Sequence, residues 1–161
     1  MVREAELPAD AAALTTLQRL DYHDCFVVEG MDRRDRTPEE WARAIVEGAS
    51  PKMRRTLRTA WPALGVKLGP ADAPELVLGW PIRRSTPDHV LLGTDSRAGF
   101  SAELLLKLEQ PTLLFATLVQ LHNPLARGLW ALITAGHQRT VRYVLARGVT
   151  RGTYSGRPPR E

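Results

Sequence analysis

The sequence predicts an α+β fold in which a curved antiparallel sheet wraps a long C-terminal helix, with a short αα-hairpin after the first strand. Three observations carry this. Asn123-Pro124 to Arg147-Gly148 is bounded like one helix: Asn can cap it, Pro sits at the first helical position, and Gly can close it in the left-handed region. At ~1.5 Å per residue that helix is about 36 Å long, enough to cross a small domain. Residues 100–109 alternate cleanly, with Phe100, Ala102, Leu104, Leu106 and Leu108 on one side and Ser101, Glu103, Lys107 and Glu109 on the other. Two helix starts follow each other closely, the capping box Thr37-Pro38-Glu39-Glu40 and then Ser50-Pro51.

The 161 residues suffice for one domain, and the composition is that of a soluble globular chain. Net charge is +4, supplied almost wholly by arginine, without a clustered stripe or motif that would point to nucleic acid. A single cysteine, Cys25, excludes an internal disulfide and any CxxC metal spacing, which fits a reducing, cytoplasmic setting. Glu4, Glu6 and Asp10 break any early signal sequence, and the longest apolar run, Leu113 to Val119, is far short of a membrane span.

In chain order, residues 1–19 form an N-terminal segment with one short helix between Asp10 and Gln18. Tyr22 to Glu29 reads as a strand with Tyr22, Asp24, Phe26 and Val28 on its more apolar face and His23, Cys25, Val27 and Glu29 on the other. Asp24 is the odd residue on its face; a carboxylate there needs a partner or titrates high. Gly30 to Arg36 is a charged, solvated turn. The first helix of the hairpin then ends near Gly48 with Trp41, Ile45 and Val46 inside. The second carries Met53, Leu57, Ala60 and Trp61 inside and Arg54, Arg55 and Arg58 outside, and stops at Pro62. Residues 75–83 alternate as a strand made edge-like or bulged by Pro81. Strands from His89 to Thr94, Phe100 to Leu108 and Leu113 to Leu121 complete a meander. The final helix turns Leu125, Leu129, Leu132, Ile133 and Gly136 to one side, continued by Val141 and Val144. Residues 20–148 thus form a single domain on the helix-grip plan, and 149–161 are expected to be a flexible basic tail.

Such a helix need not touch a curved sheet everywhere, so a ligand cavity between them is expected. Trp80, Phe100, Leu104, Gln120, Leu129, Ile133, His137 and Val141 are the candidate lining residues. His137 lies on the apolar stripe, four residues from both Ile133 and Val141. It is either a core-edge histidine bonded to a carbonyl or a polar group facing the cavity. Gln120 and His122 share a strand face with Leu114, Ala116 and Leu118 and point at the helix only if that face is the concave one. Tyr143 is a further polar candidate, while Arg127 falls on the outer arc.

Several stretches resemble one family. Asp21-Tyr22-His23-Asp24-Cys25-Phe26, Glu40-Trp41-Ala42-Arg43-Ala44, Gly79-Trp80-Pro81 and Thr117 through Gly128, followed by His137 and Val141-Arg142, look like the DUF2867 family, an uncharacterised bacterial group similar to the START/Bet v 1-like (SRPBCC) superfamily. The resemblance covers roughly residues 20–148. Ala126-Arg127-Gly128-Leu129-Trp130 and Ala135-Gly136-His137 depart from the family's usual Gly-Arg-aromatic and Pro-Phe-His, so a pocket differently shaped near the helix middle is expected. The resemblance implies a fold and no particular reaction.

No nucleophile elbow, P-loop, HExxH or dinucleotide turn is present, and the four histidines have no metal spacing, so neither cofactor nor metal is expected. Three functions stay open. The first is binding of a small, mostly apolar molecule (lipid, aromatic or polyketide-like). The second is a polyketide cyclase or aromatase-like enzyme using Asp24, His122 and His137 for acid–base chemistry. The third is a ligand-free interaction domain. The expected partner is a small apolar molecule, with a homodimer possible and no nucleic acid.

Overall fold

The computed structural model describes residues 1–29, 36–109 and 111–154, without side chains from 149 onward. Strand β1 (Val2–Glu4) and helix α1 (Ala9–Ala12) precede strand β2 (Tyr22–Glu29). Helices α2 (Pro38–Val46) and α3 (Pro51–Ala63) follow, then strands β3 (Leu76–Val77), β4 (Trp80–Ser85), β5 (His89–Ser96), β6 (Phe100–Glu109) and β7 (Thr112–Leu121), and finally helix α4 (Pro124–Tyr154). The expected turn at Gly30–Arg36 falls, but for Arg36, outside the described residues, as does Gln110. Of the expected tail, residues 149–154 continue α4 and 155–161 lie outside the described residues.

All seven strands join one curved antiparallel sheet in the order β1-β2-β7-β6-β5-β4-β3, so the first long strand lies beside the last. Helix starts follow their local signals. Thr37 and Glu40 close the capping box of α2, Ser50 accepts from the Met53 amide at the start of α3, and Asn123 Oδ1 accepts from the Ala126 amide 2.7 Å away at the start of α4.

Three local expectations are corrected. The strand expected over residues 75–83 is a tight hairpin: β3 turns into β4 through Leu78 and Gly79, whose φ values of 47° and 93° are the paired positive angles of a primed turn. Leu78 is a costly residue there, and its 4% exposure shows that core burial holds it in place. A register shift between Ile82 and Arg84 adds the bulge that Pro81 suggested. Helix α3 takes Pro62 into its last turn and ends one residue later. Helix α4 does not end at Gly148, which has no positive φ. A Cβ at Gly148 would stand 2.6 Å from the Ile45 Cα, so this glycine lets α4 lie directly against α2.

The stripe that α4 buries is also shifted. Ala126, Trp130, Val141, Val144 and Leu145 are buried, whereas Leu125 and Leu132 are 74% and 83% exposed. Apolar residues nearly encircle this helix, so periodicity is a weak guide to its docked face. The close approach at Gly148 and the buried Ala126 and Trp130 near the other end set its roll instead.

Both faces of the sheet are covered. The concave face carries Phe26, Val28, Trp80, Phe100, Leu104, Leu106 and Phe115 against α2 and α4. The convex face carries Cys25, Leu91, Leu105, Leu114, Ala116 and Leu118 beneath the N-terminal segment, which adds Ala11 and the partly buried Leu7, Leu14, Leu17 and Leu20. Glu103, expected to face outward, is fully buried on this convex face. It accepts from the hydroxyls of Thr15 and Thr16 and from Arg83, whose Nη1 is 2.7 Å away.

Candidate functional site

Helix α4 bridges the concave face instead of lying flat on it. Its first turns rest beside Phe100 and its last on α2, and between them a cavity of about 530 Å3 remains over the sheet. The sheet contributes Trp80, Phe100, Ala102, Leu104, Phe115 and Thr117 to the lining. α2 and α3 contribute Ile45, Leu57, Ala60 and Trp61 among others, and α4 contributes Trp130, Leu132, Ile133, Gly136, His137, Thr140, Val141, Val144 and Leu145. Ala60, Ala63, Leu132 and Gly136 line the cavity and are also exposed, which places its mouth between α3 and α4.

Apart from Thr140, whose hydroxyl donates to the Gly136 carbonyl, the lining is apolar except at one end, where β2, β7 and α4 meet. His137 Nε2 stands 3.1 Å from Asp24 Oδ2 and 3.1 Å from Thr117 Oγ1. Asp24 Oδ2 also accepts from the Tyr22 hydroxyl at 2.8 Å, and its Oδ1 accepts from the Thr117 amide at 3.2 Å. The Gln138 side chain donates to the Tyr22 oxygen from 3.3 Å, tying the middle of α4 to β2 a second time. Pairing of Asp24 with Thr117 across the β2–β7 ladder creates this cluster, and the helical turn that aims Ile133 and Val141 inward drops His137 onto it. Trp130 packs its ring 5.5 Å from His137 and 5.2 Å from Tyr22, shielding the group.

The electrostatics follow from these contacts. Burial alone would raise the Asp24 pKa, but His137, Tyr22 and Thr117 together hold it below the usual carboxylate range, so Asp24 stays ionised. Burial, and then the charge of Asp24, drives the Tyr22 phenol upward, so it remains a neutral donor. Cys25, on the convex face, is pushed up to about 11, by burial first and the charges of Asp24 and Glu109 next; it is no nucleophile.

Of the residues predicted to line a ligand site, Trp80, Phe100, Leu104, Ile133, His137 and Val141 line the cavity. Leu129 is partly buried against the same core and is absent from the lining. Gln120 is on the convex face, where its Oε1 accepts from the Gln18 amide at 3.1 Å. His122 is exposed and bonded to Ser101 Oγ at 2.8 Å, away from Asp24 and His137. The face of β7 shared by Leu114, Ala116 and Leu118 is the convex one, which takes both residues off the cavity. Tyr143 is 43% exposed beneath the Arg147 guanidinium, and Arg127 pairs with Asp21 on the surface.

Sequence reasoning missed Thr117, Thr140, Trp130 and the α3 wall. Thr117 and Trp130 carried a usable signal: a hydroxyl on an otherwise apolar strand face, and a large aromatic about two helical turns before the histidine and so on the same face. Among the described residues, no group of three or more His, Cys, Asp or Glu side chains could hold a metal ion, and no helix is long and apolar enough to cross a membrane. No family model matches the chain, and no curated protein or solved structure is similar enough to it to carry a family assignment.

Proposed function

We propose that the chain binds a small, mostly apolar ligand, such as a lipid, an aromatic or a polyketide-like molecule, in the cavity between α4 and the sheet. The observation that carries this is the cavity's size and lining. About 530 Å3 lies within the range of small-molecule sites, and a few convergent polar groups at one end suit orientation of a ligand that is otherwise apolar. On this reading the architecture is the helix-grip plan of the START/Bet v 1-like superfamily, as the DUF2867-like stretches suggest. Native mass spectrometry of protein purified from its own host tests the proposal. A co-purified small apolar molecule is expected, together with saturable uptake of a neutral hydrophobic dye by the stripped protein. Gly136→Trp, which pushes an indole into the mouth, should abolish that uptake. No bound mass and no saturable uptake would overturn the reading.

The contact between Asp24 and His137 favours a second reading, an acid–base enzyme of the cyclase or aromatase-like kind. A carboxylate that accepts the Nε2 proton fixes the ring tautomer and leaves Nδ1 as the basic nitrogen. This suits proton removal next to a carbonyl, as in cyclisation, dehydration or isomerisation. His122 takes no part in it. Unchanged turnover of an identified substrate by His137→Gln would end this reading.

A further inference from the structure

The two helices that flank the cavity mouth are charged unlike the rest of the chain. α3 holds four Lys or Arg residues and α4 holds five, and neither holds an Asp or Glu. The whole chain carries only +4, so everything outside these helices is net acidic. Several of the cations have structural work. Arg54 donates to the Glu47 carbonyl, Arg58 faces the carbonyls of Gly69 and Leu78, and Arg127 and Arg142 pair with Asp21 and Glu4.

Lys52 and Arg139 are different. Both are exposed, and like Arg55 neither has a side-chain hydrogen bond or ion pair among the described residues. Both also continue the stripes that form the mouth. On α3, Lys52, Thr56, Ala60 and Ala63 follow helical spacing; on α4, Leu132, Gly136, Arg139 and Tyr143 do the same. At the polar end of the cavity His137 and Thr117 line the space, and the buried Asp24 carboxylate stands behind them, 3.1 Å from His137 Nε2. A second anion pushed to that end would be desolvated beside a like charge, whereas on the solvent side it remains hydrated and is drawn toward the exposed cations of α3 and α4.

Resting on the reading of this cavity as an apolar ligand site, we propose that its ligand is an anionic amphiphile. The apolar body enters first with a neutral far end toward His137 and Thr117. The single anionic head stays at the mouth between Lys52 and Arg139. The polarity of the cavity therefore sets the ligand's direction as well as its class.

A matched series at constant chain length tests this: dodecanoate, dodecyl phosphate, dodecanol and dodecylamine, each titrated into the full chain below its micelle concentration and followed by tryptophan emission, since Trp61, Trp80 and Trp130 line the cavity. Exposed ion pairs are individually weak, so the expected preference for the anions over the alcohol is about fivefold at low salt, and larger over the amine. It should shrink at high salt and collapse toward unity in the Lys52→Gln, Arg139→Gln double variant. The carboxylate and phosphate arms show which head is preferred, and a lead for either supports the proposal. Equal affinities across the series, or a lead for the amine, would overturn the anionic head while leaving the apolar site standing. Binding by none of the four would overturn the cavity reading as well.

Discussion

Asp24 and Glu103 are both buried carboxylates, 4% and 0% exposed, and they leave opposite faces of the same sheet. Glu103 is closed in. Two threonines of the N-terminal segment and Arg83 use its lone pairs, and their role is to fasten that segment over the convex face. Asp24 is held by Tyr22, Thr117 and His137, and His137 itself lines open space. One face is thus sealed by a complete polar network, while the other keeps its network at the edge of a cavity. A buried charge by itself does not mark a functional site; what adjoins its partners does.

Four perturbations bear on that contrast. The largest effect is expected from Glu103→Ala, which leaves a gap under the solvent-accessible Arg83 and two threonine hydroxyls without their acceptor; the cavity and the unsatisfied groups together cost about 3 kcal/mol or more. Urea unfolding reads that loss, and ligand affinity of the still-folded fraction should be unchanged. A parallel fall in affinity would show that the two faces are not independent.

Asp24→Asn keeps the shape and removes the charge, so at pH 7 it should cost about 1.5–3 kcal/mol, the range for hydrogen bonds to a charged group. The folded pKa of Asp24 is depressed, so its stabilisation is present above the ordinary carboxylate pKa and is lost as pH falls below it toward the folded value. The stability gap between wild type and Asp24→Asn should therefore narrow below about pH 4. A gap independent of pH would mean that Asp24 does not carry its charge in the fold.

Two glycines of α4 supply the smaller tests. Gly148→Ala places a methyl against the Ile45 backbone and should lower stability by about 1–3 kcal/mol, seen as a lower Tm. Gly136→Ala adds a methyl with nothing within 4 Å of it and should raise stability by about 0.5–1 kcal/mol, because alanine is the better helix residue. If both substitutions act alike, α4 is not docked at its end and lifted at its middle.

Local chemistry was legible wherever a few neighbouring residues settle the outcome. Thr37 with Glu40, Ser50, and Asn123 with Pro124 start helices where their side chains predict, and the alternation of β6 selects its concave residues correctly. Leu78 misled the reading of residues 75–83, since nothing local distinguishes a leucine in a strand from one held at positive φ by burial. Gly148 misled it too, because a cap and a close helix contact both call for a residue without Cβ. Half of the site was readable: Asp24 stood out on an apolar strand face and His137 on an apolar helix stripe, although neither position names the other as its partner.

The sequence by itself determined the long elements, their order and which side chains share a strand face, because periodicity and capping act over a few residues; β1 and the β3–β4 hairpin carried no such local mark. It also determined the basic character of α3 and α4, which is a matter of composition. Only the tertiary structure decided which face of β7 is concave, and with it that Gln120 and His122 lie outside the cavity. It alone brought Asp24 to His137 and held the middle of α4 off the sheet. Those outcomes depend on the pairing of the first long strand with the last and on contacts at the two ends of one helix. Such contacts join residues far apart in the chain, and no local pattern encodes them.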